Sequence, residues 1–178
     1  MTLIIGKLYN IPTAVLRGFN IYGPRQSLSN PYTGVTAIFI SRLKNNKEAV
    51  IYEDGLQTRD FISVHDVVEA FVNALENDKA NYQMFNIGSG HGITILEIAQ
   101  TLEKLLGKSG LIKINNEYRK NDIRHCFADN TKAKKLLGWE PKISLEQGLK
   151  ELIEWSETEK AEDKFSQAQE ELKQKGLI

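Results

Sequence analysis

Arginine and acid pairs placed in loops are the residues of this sequence best suited to chemistry, and two such groups stand out. The first is Asp54-Gly-Leu-Gln-Thr-Arg-Asp-Phe-Ile62, a turn that delivers Arg59 and Asp60 into an apolar segment. An arginine at a loop edge can present its planar fork to a carboxylate or a phosphate. The alternative, that Arg59 pairs with a nearby acid, is equally open on composition. The second is Arg119-Lys-Asn-Asp122, ahead of His125. If Arg59 and Arg119 converge, they would offset the two charges of a pyrophosphate, and Asp122 would accept hydrogen bonds from a ribose. A solvated surface turn is the plainer account of that stretch.

Other chemistries find little support. Gly88-Ser-Gly-His-Gly92 follows an expected strand and precedes an expected helix, the context in which glycines cradle phosphate. Ile93 stands where the dinucleotide fingerprint wants a small residue, however, so a tight strand-to-helix turn is preferred. His65, His91 and His125 are scattered with no metal-ligand spacing, and no metal site is expected. Cys126, the single cysteine, has no evident base beyond His125 and is expected to pack along an extended segment.

The 178 residues are 41% apolar and 26% charged, with 23 basic against 23 acidic side chains. No basic block exists to release counterions from nucleic acid, so nucleic acid is not an expected partner. One cysteine excludes an intramolecular disulfide, in keeping with a reducing cytosol. The apolar run near Met1 lacks a basic n-region and a cleavage site, and no run approaches the length of a membrane span, so a cytoplasmic chain with no membrane partner is expected.

The elements that must position these residues follow from periodicity. Strands are expected at 13–17, 49–53, 82–87 and 111–114, and helices at 34–44, 64–76 and from 95 to Gly107. A short helix over 131–137, capped by Asp129 or Asn130 and closed by Gly138, precedes a last helix opened by Ser144 with Gln147. Ser63 with Asp66 and Thr94 with Glu97 have capping-box spacing. Residues 158–178 read as a polar, helix-prone or frayed tail. Alternation of strands and helices predicts an α/β fold with a mostly parallel sheet, and no linker divides residues 1–157.

Four motifs occur in one order: Leu16-Arg-Gly-Phe-Asn-Ile-Tyr-Gly-Pro-Arg-Gln26, Glu53-Asp-Gly-Leu-Gln-Thr-Arg-Asp-Phe-Ile-Ser-Val-His-Asp66, Asn86-Ile-Gly-Ser-Gly90 and Asp129-Asn-Thr-Lys-Ala-Lys-Lys-Leu-Leu-Gly-Trp139. Over about residues 8–157 the chain resembles the C-terminal half of the NAD-dependent epimerase/dehydratase family, the extended short-chain dehydrogenases. Within it, residues 26–35 and 122–126 are most similar to sugar-nucleotide 4-epimerases of the dTDP-L-rhamnose and UDP-glucose type. The resemblance implies a C-terminal substrate-binding portion, with strands near 13–17 and 83–87 belonging to a Rossmann sheet otherwise missing.

Residue by residue, the resemblance implies that Asn20 lies near the sugar diphosphate, that Arg59 and Arg119 bind phosphate and that Asp122 lies near the ribose. It implies that Phe19 lines the nicotinamide side and that Tyr52 helps wall the base pocket; an ordinary strand residue is as good an account of Tyr52. The implied cofactor is NAD and the implied ligand a dTDP-sugar or UDP-sugar. None of the six tyrosines has Lys four residues later, and no glycine-rich nucleotide loop stands near Met1. The expectation is therefore a nucleotide-sugar-binding part that is inactive alone, does not hold NAD tightly and forms a homo-oligomer. A fragment of a dehydratase or decarboxylase and a non-catalytic docking module are the alternatives.

Overall fold

The computed structural model describes residues 1–28, 34–118, 122–159, 170 and 174, so Arg119 and most of the expected tail lie outside the described residues. In chain order the elements are α1 (Thr2–Leu8), β1 (Ala14–Gly18), β2 (Asn20–Tyr22), α2 (Val35–Lys44), β3 (Ala49–Ile51), β4 (Thr58–Arg59), β5 (Phe61–Ser63) and α3 (Val64–Leu75). After a one-turn helix, Asp78–Ala80, come β6 (Gln83–Ile87), β7 (Ile93–Thr94), α4 (Ile95–Leu105), β8 (Ile112–Ile114), α5 (Thr131–Leu137) and α6 (Leu145–Glu157).

The expected α/β class holds, but one mostly parallel sheet does not form. Among the described residues the strands make four two-stranded ladders: β1 with β6, β2 with β5 and β3 with β8 are parallel, and β4 with β7 is antiparallel. Each strand has only two to five residues; β2 is followed by a turn at Gly23, and β3 by turns at Glu53 and Gly55, all at positive φ.

Helix ends follow local chemistry closely. Thr94 and Glu97 form a complete capping box on α4, and the Thr94 N–H and hydroxyl hold the Glu97 carboxyl below its ordinary value. Gly138 closes α5 in the left-handed conformation. Asn130 occupies the N-cap position of α5, yet the capping hydrogen bond goes from Thr131 N–H to Asp129. Ser63 caps α3, accepting from His65 N–H, whereas Asp66 does not close a box with it. Its buried carboxylate instead accepts the Lys142 and Ile143 N–H groups at 3.0 and 3.1 Å, which leads the chain into α6.

Two apolar cores result. One joins α2, β3, α4 and α6 around Phe39, Ile51, Leu102 and Leu152; the other joins β1, β6, α3 and α5 around Phe85, Ile87 and Trp139. β5 separates them, since successive side chains of a strand point to opposite faces: Phe61 enters the first core and Ile62 the second. Apolar side chains also remain on the surface, including Ile4 and Leu8 of α1 and Phe71 and Leu75 of α3. Among the described residues no helix is long and apolar enough to cross a membrane.

Trp139 is fully buried and its indole N–H donates to the Asp66 carbonyl at 2.9 Å. Trp139→Phe removes that hydrogen bond and part of the ring volume, while the Asp66 carbonyl keeps its place in the α3 ladder, so unfolding in urea should show a loss of about 2 kcal/mol. A loss below about 0.5 kcal/mol would mean that the indole contact contributes little.

Candidate functional site

The site begins with a buried acid. Asp60, with no exposed surface, accepts four hydrogen bonds: Ser89 N–H and hydroxyl on Oδ1 at 2.6 and 2.7 Å, and Gly90 and Ala128 N–H on Oδ2 at 3.0 and 2.9 Å. Four donors meet the demand of a carboxylate removed from water. Of the other amides of the loop, Gly88 N–H donates to Asn130 Oδ1, while Asn130 Nδ2 donates to the Gly88 carbonyl, and His91 N–H donates to Ser89 Oγ. The glycine loop is thus the tight turn preferred from the sequence, and its amides already hold an internal anion. It does not offer a cradle for a dinucleotide pyrophosphate.

With Asp60 fixed, its neighbour Arg59 is directed away from the cores. Arg59 Nη1 donates to the Thr58 carbonyl at 2.8 Å and to the Arg124 carbonyl at 3.4 Å, and Nη2 pairs with Asp122 Oδ1 at 2.5 Å. Both readings of Arg59 are therefore compatible with its geometry, because a guanidinium has five donors and these contacts leave Nε–H and one Nη2–H. Asp122 Oδ1 also accepts its own neighbour's Ile123 N–H.

Residues 122–126 are held alongside β4 by Thr58 N–H to Arg124 O and Cys126 N–H to Thr58 O. Arg124 clasps the other end, donating to Glu53 and bidentately to Asp54 at 2.7 and 2.8 Å. The Arg124 fork, aided by the Leu56 N–H, holds the Asp54 carboxyl well below the usual carboxylate range.

Two adjoining clefts share Asn20, Arg59 and Asp122 as a polar waist. The larger, about 490 Å³, is completed by Phe19 and by Arg17, Asn86 and Cys126. The smaller, about 260 Å³, is mixed in character and contains Tyr52 and Gln57 together with Val35, Phe39 and Ile95. Phe19, Asn20, Tyr52, Arg59 and Asp122 are thus brought together, while Arg119 lies outside the described residues. Cys126 does run along an extended segment, but half-buried at the cleft wall instead of in a core. Sequence reasoning missed Arg17 and Asn86. A charge ending an otherwise apolar strand was the available sign of Arg17. Among the described residues no cluster of His, Cys, Asp and Glu could hold a metal ion.

Two substitutions test this framework. Asp60→Asn sets an NH2 group against N–H donors, and its expected cost in urea unfolding is about 2–4 kcal/mol. Gly88→Ala should be similarly damaging, since the new methyl would meet Asp60 Oδ2 and lie 2.6 Å from the Ala128 Cβ, both immobile. Neutral behaviour of both would remove Asp60 as the organiser. For the clasp the sign follows from the lowered Asp54 value: its stabilisation is present above the ordinary carboxylate range and is lost as pH falls through the lowered one. Asp54→Asn should therefore lower the urea midpoint at pH 7, with the gap to wild type narrowing below about pH 4; a gap independent of pH would mean that no charge is involved.

The sequence matches the family model described as GDP-mannose 4,6 dehydratase over residues 1–152. It is 41% identical over 145 residues to a dTDP-L-rhamnose 4-epimerase of Burkholderia thailandensis, covering 81% of this chain and 39% of that one. Other relatives are a UDP-N-acetyl-alpha-D-glucosaminuronate decarboxylase and a dTDP-D-glucose 4,6-dehydratase. The fold is similar to a UDP-glucose 4-epimerase of Thermotoga maritima solved with UDP-glucose, at 40% identity and TM-score 0.79 over 86% of this chain and 48% of that one. It is also similar to a UDP-glucuronic acid 4-epimerase of Bacillus cereus solved with UDP-glucuronic acid and NAD, at 33% identity and TM-score 0.77, again over 86% and 48%. The chain spans about half the length of the relatives it matches. By motif order, fold and family model together, it belongs to the family of NAD-dependent sugar-nucleotide epimerases, dehydratases and decarboxylases.

Proposed function

We propose that this chain is the nucleotide-sugar-anchoring part of a sugar-nucleotide 4-epimerase of the dTDP-L-rhamnose or UDP-glucose type. The observation that carries the reading is the pair of clefts meeting at Arg59, Asn20 and Asp122. An elongated ligand with a charged middle fits that shape: the base enters the smaller lobe, where Tyr52, Phe39 and Ile95 offer flat or apolar contact and Gln57 a polar one, the diphosphate meets Arg59 and Asn20 at the waist, and the ribose hydroxyls reach Asp122. The sugar occupies the larger lobe beside Phe19, the side assigned to the nicotinamide by resemblance. Arg119 is a second phosphate contact in this reading, on resemblance alone.

The electrostatics suit such a division. A 4-epimerase must let its sugar turn while the nucleotide stays bound, so binding energy belongs on the nucleotide. The unused Arg59 donors would each make a charged hydrogen bond worth roughly 1.5–3 kcal/mol. The same anchoring serves a dehydratase or decarboxylase, which the relatives also include. NAD is the family's cofactor, and the described residues offer it the Phe19 wall but no glycine cradle, so the proposal concerns anchoring and not hydride transfer. The exposed apolar residues of α1 and α3 support an assembled state, either a homo-oligomer or a docked complex.

Titration calorimetry with UDP and dTDP tests the reading. Binding of at least one is expected, weakened about tenfold or more by Arg59→Ala and also weakened by Tyr52→Ala. Failure of both nucleotides to bind, or indifference to Arg59→Ala, would overturn it.

A further inference from the structure

Arg59 is a poor candidate for the group that draws an anion into the cleft. Its charge is already offset by Asp122 at 2.5 Å, so ligand phosphate meets a nearly neutral pair. Arg17 lies in the same larger cleft; among the described residues its side chain makes no hydrogen bond and no ion pair, and the residue is exposed. Of the charged side chains lining that cleft, Arg17, Arg59 and Asp122, it alone is uncompensated.

The backbone explains why Arg17 points there. Ala14 and Leu16 pack into the second core, so alternation places Arg17 on the opposite face of β1. In the parallel ladder Arg17 stands opposite Asn86, whose neighbours Phe85 and Ile87 are likewise committed to the core. Arg17 and Asn86 therefore sit side by side on the cleft face, one residue from the carboxyl ends of β1 and β6. The carboxyl ends of parallel strands are where open α/β sheets receive ligands. Asn86 makes only a long 3.5 Å contact to the Asp129 carbonyl.

We infer that Arg17, assisted by Asn86, is a further diphosphate-binding cation of this cleft, beyond those named above, and supplies the uncompensated charge that recruits the anionic ligand. The inference rests on the nucleotide-diphosphate reading above but concerns the anion alone, so inorganic pyrophosphate is its independent probe.

The full chain, Arg17→Gln and Arg17→Lys are titrated with pyrophosphate and with UDP at low and high salt. Arg17→Gln is expected to lose about tenfold in affinity for both probes and to show a shallower salt dependence, since one screened charge is gone. Arg17→Lys should keep the salt dependence and most of the affinity. Because Arg17 is exposed and unpaired, the thermal midpoint of Arg17→Gln should match wild type, which separates binding from folding. Unchanged pyrophosphate and UDP affinity in Arg17→Gln would overturn the inference and leave the nucleotide reading intact. Pyrophosphate binding that depends on Arg17, without any UDP or dTDP binding, would support the inference and overturn the nucleotide reading. If wild type binds neither pyrophosphate nor nucleotide, both fall.

Discussion

The carboxylate of Asp60 is the constraint to which the other parts of this structure answer. A buried carboxylate has to be matched by donors, and the chain supplies them from two places distant in sequence, the Ser89–Gly90 turn and Ala128. Meeting that requirement draws together the end of β6, the start of α5 and the junction of β4 with β5. The neighbours of Asp60 then have little choice. Arg59 must face the cleft, Phe61 one core and Ile62 the other. The three residues flanking Asp60 thereby connect the cleft and both cores to one buried charge.

The same pattern recurs at Asp66, and together the two acids show why some features were legible in the sequence and others were not. Periodicity and capping chemistry are local, so the helices at 34–44, 64–76, 95–105 and 131–137 could be read with nearly correct ends. β2 and β5 escaped, because three residues carry no period and their pairing partner lies far along the chain. Asp66 had the spacing of a capping-box residue, but its partners at Lys142 and Ile143 are distant, and tertiary demand prevailed. The Gly88 loop shows the converse: a missing small residue at Ile93 argued against a phosphate cradle, and the structure supplies the internal anion that occupies it. For the site, the motif residues marked Asn20, Tyr52, Arg59 and Asp122, yet no spacing could bring them to one pair of clefts. Arg17 depended on knowing which face of β1 is covered.

Family membership and the two adjoining clefts are the two independent supports of the proposed reading. The geometry behind the proposed anchoring is a small lobe of mixed lining, a waist of guanidinium, amide and carboxylate, and a wider lobe beyond. The Arg124 clasp on Glu53 and Asp54 keeps the 122–126 segment against β4, so the wall bearing Asp122 is built by ion pairing as much as by backbone hydrogen bonds. Proteins named as an epimerase, a decarboxylase and a dehydratase are all similar in sequence to this chain over most of its length.

The register of the parallel ladders has a kinetic side. Ala14 pairs with Gln83, Asn20 with Phe61 and Ala49 with Ile112, so every parallel ladder closes a long stretch of chain before it gains a single hydrogen bond. Loop-closure entropy of that kind delays folding far more than it lowers final stability. The helices can flicker into place locally, whereas the cleft exists only after these distant strands have met. During synthesis, the nascent protein therefore has no complete cleft until the segment carrying Ala128 has emerged.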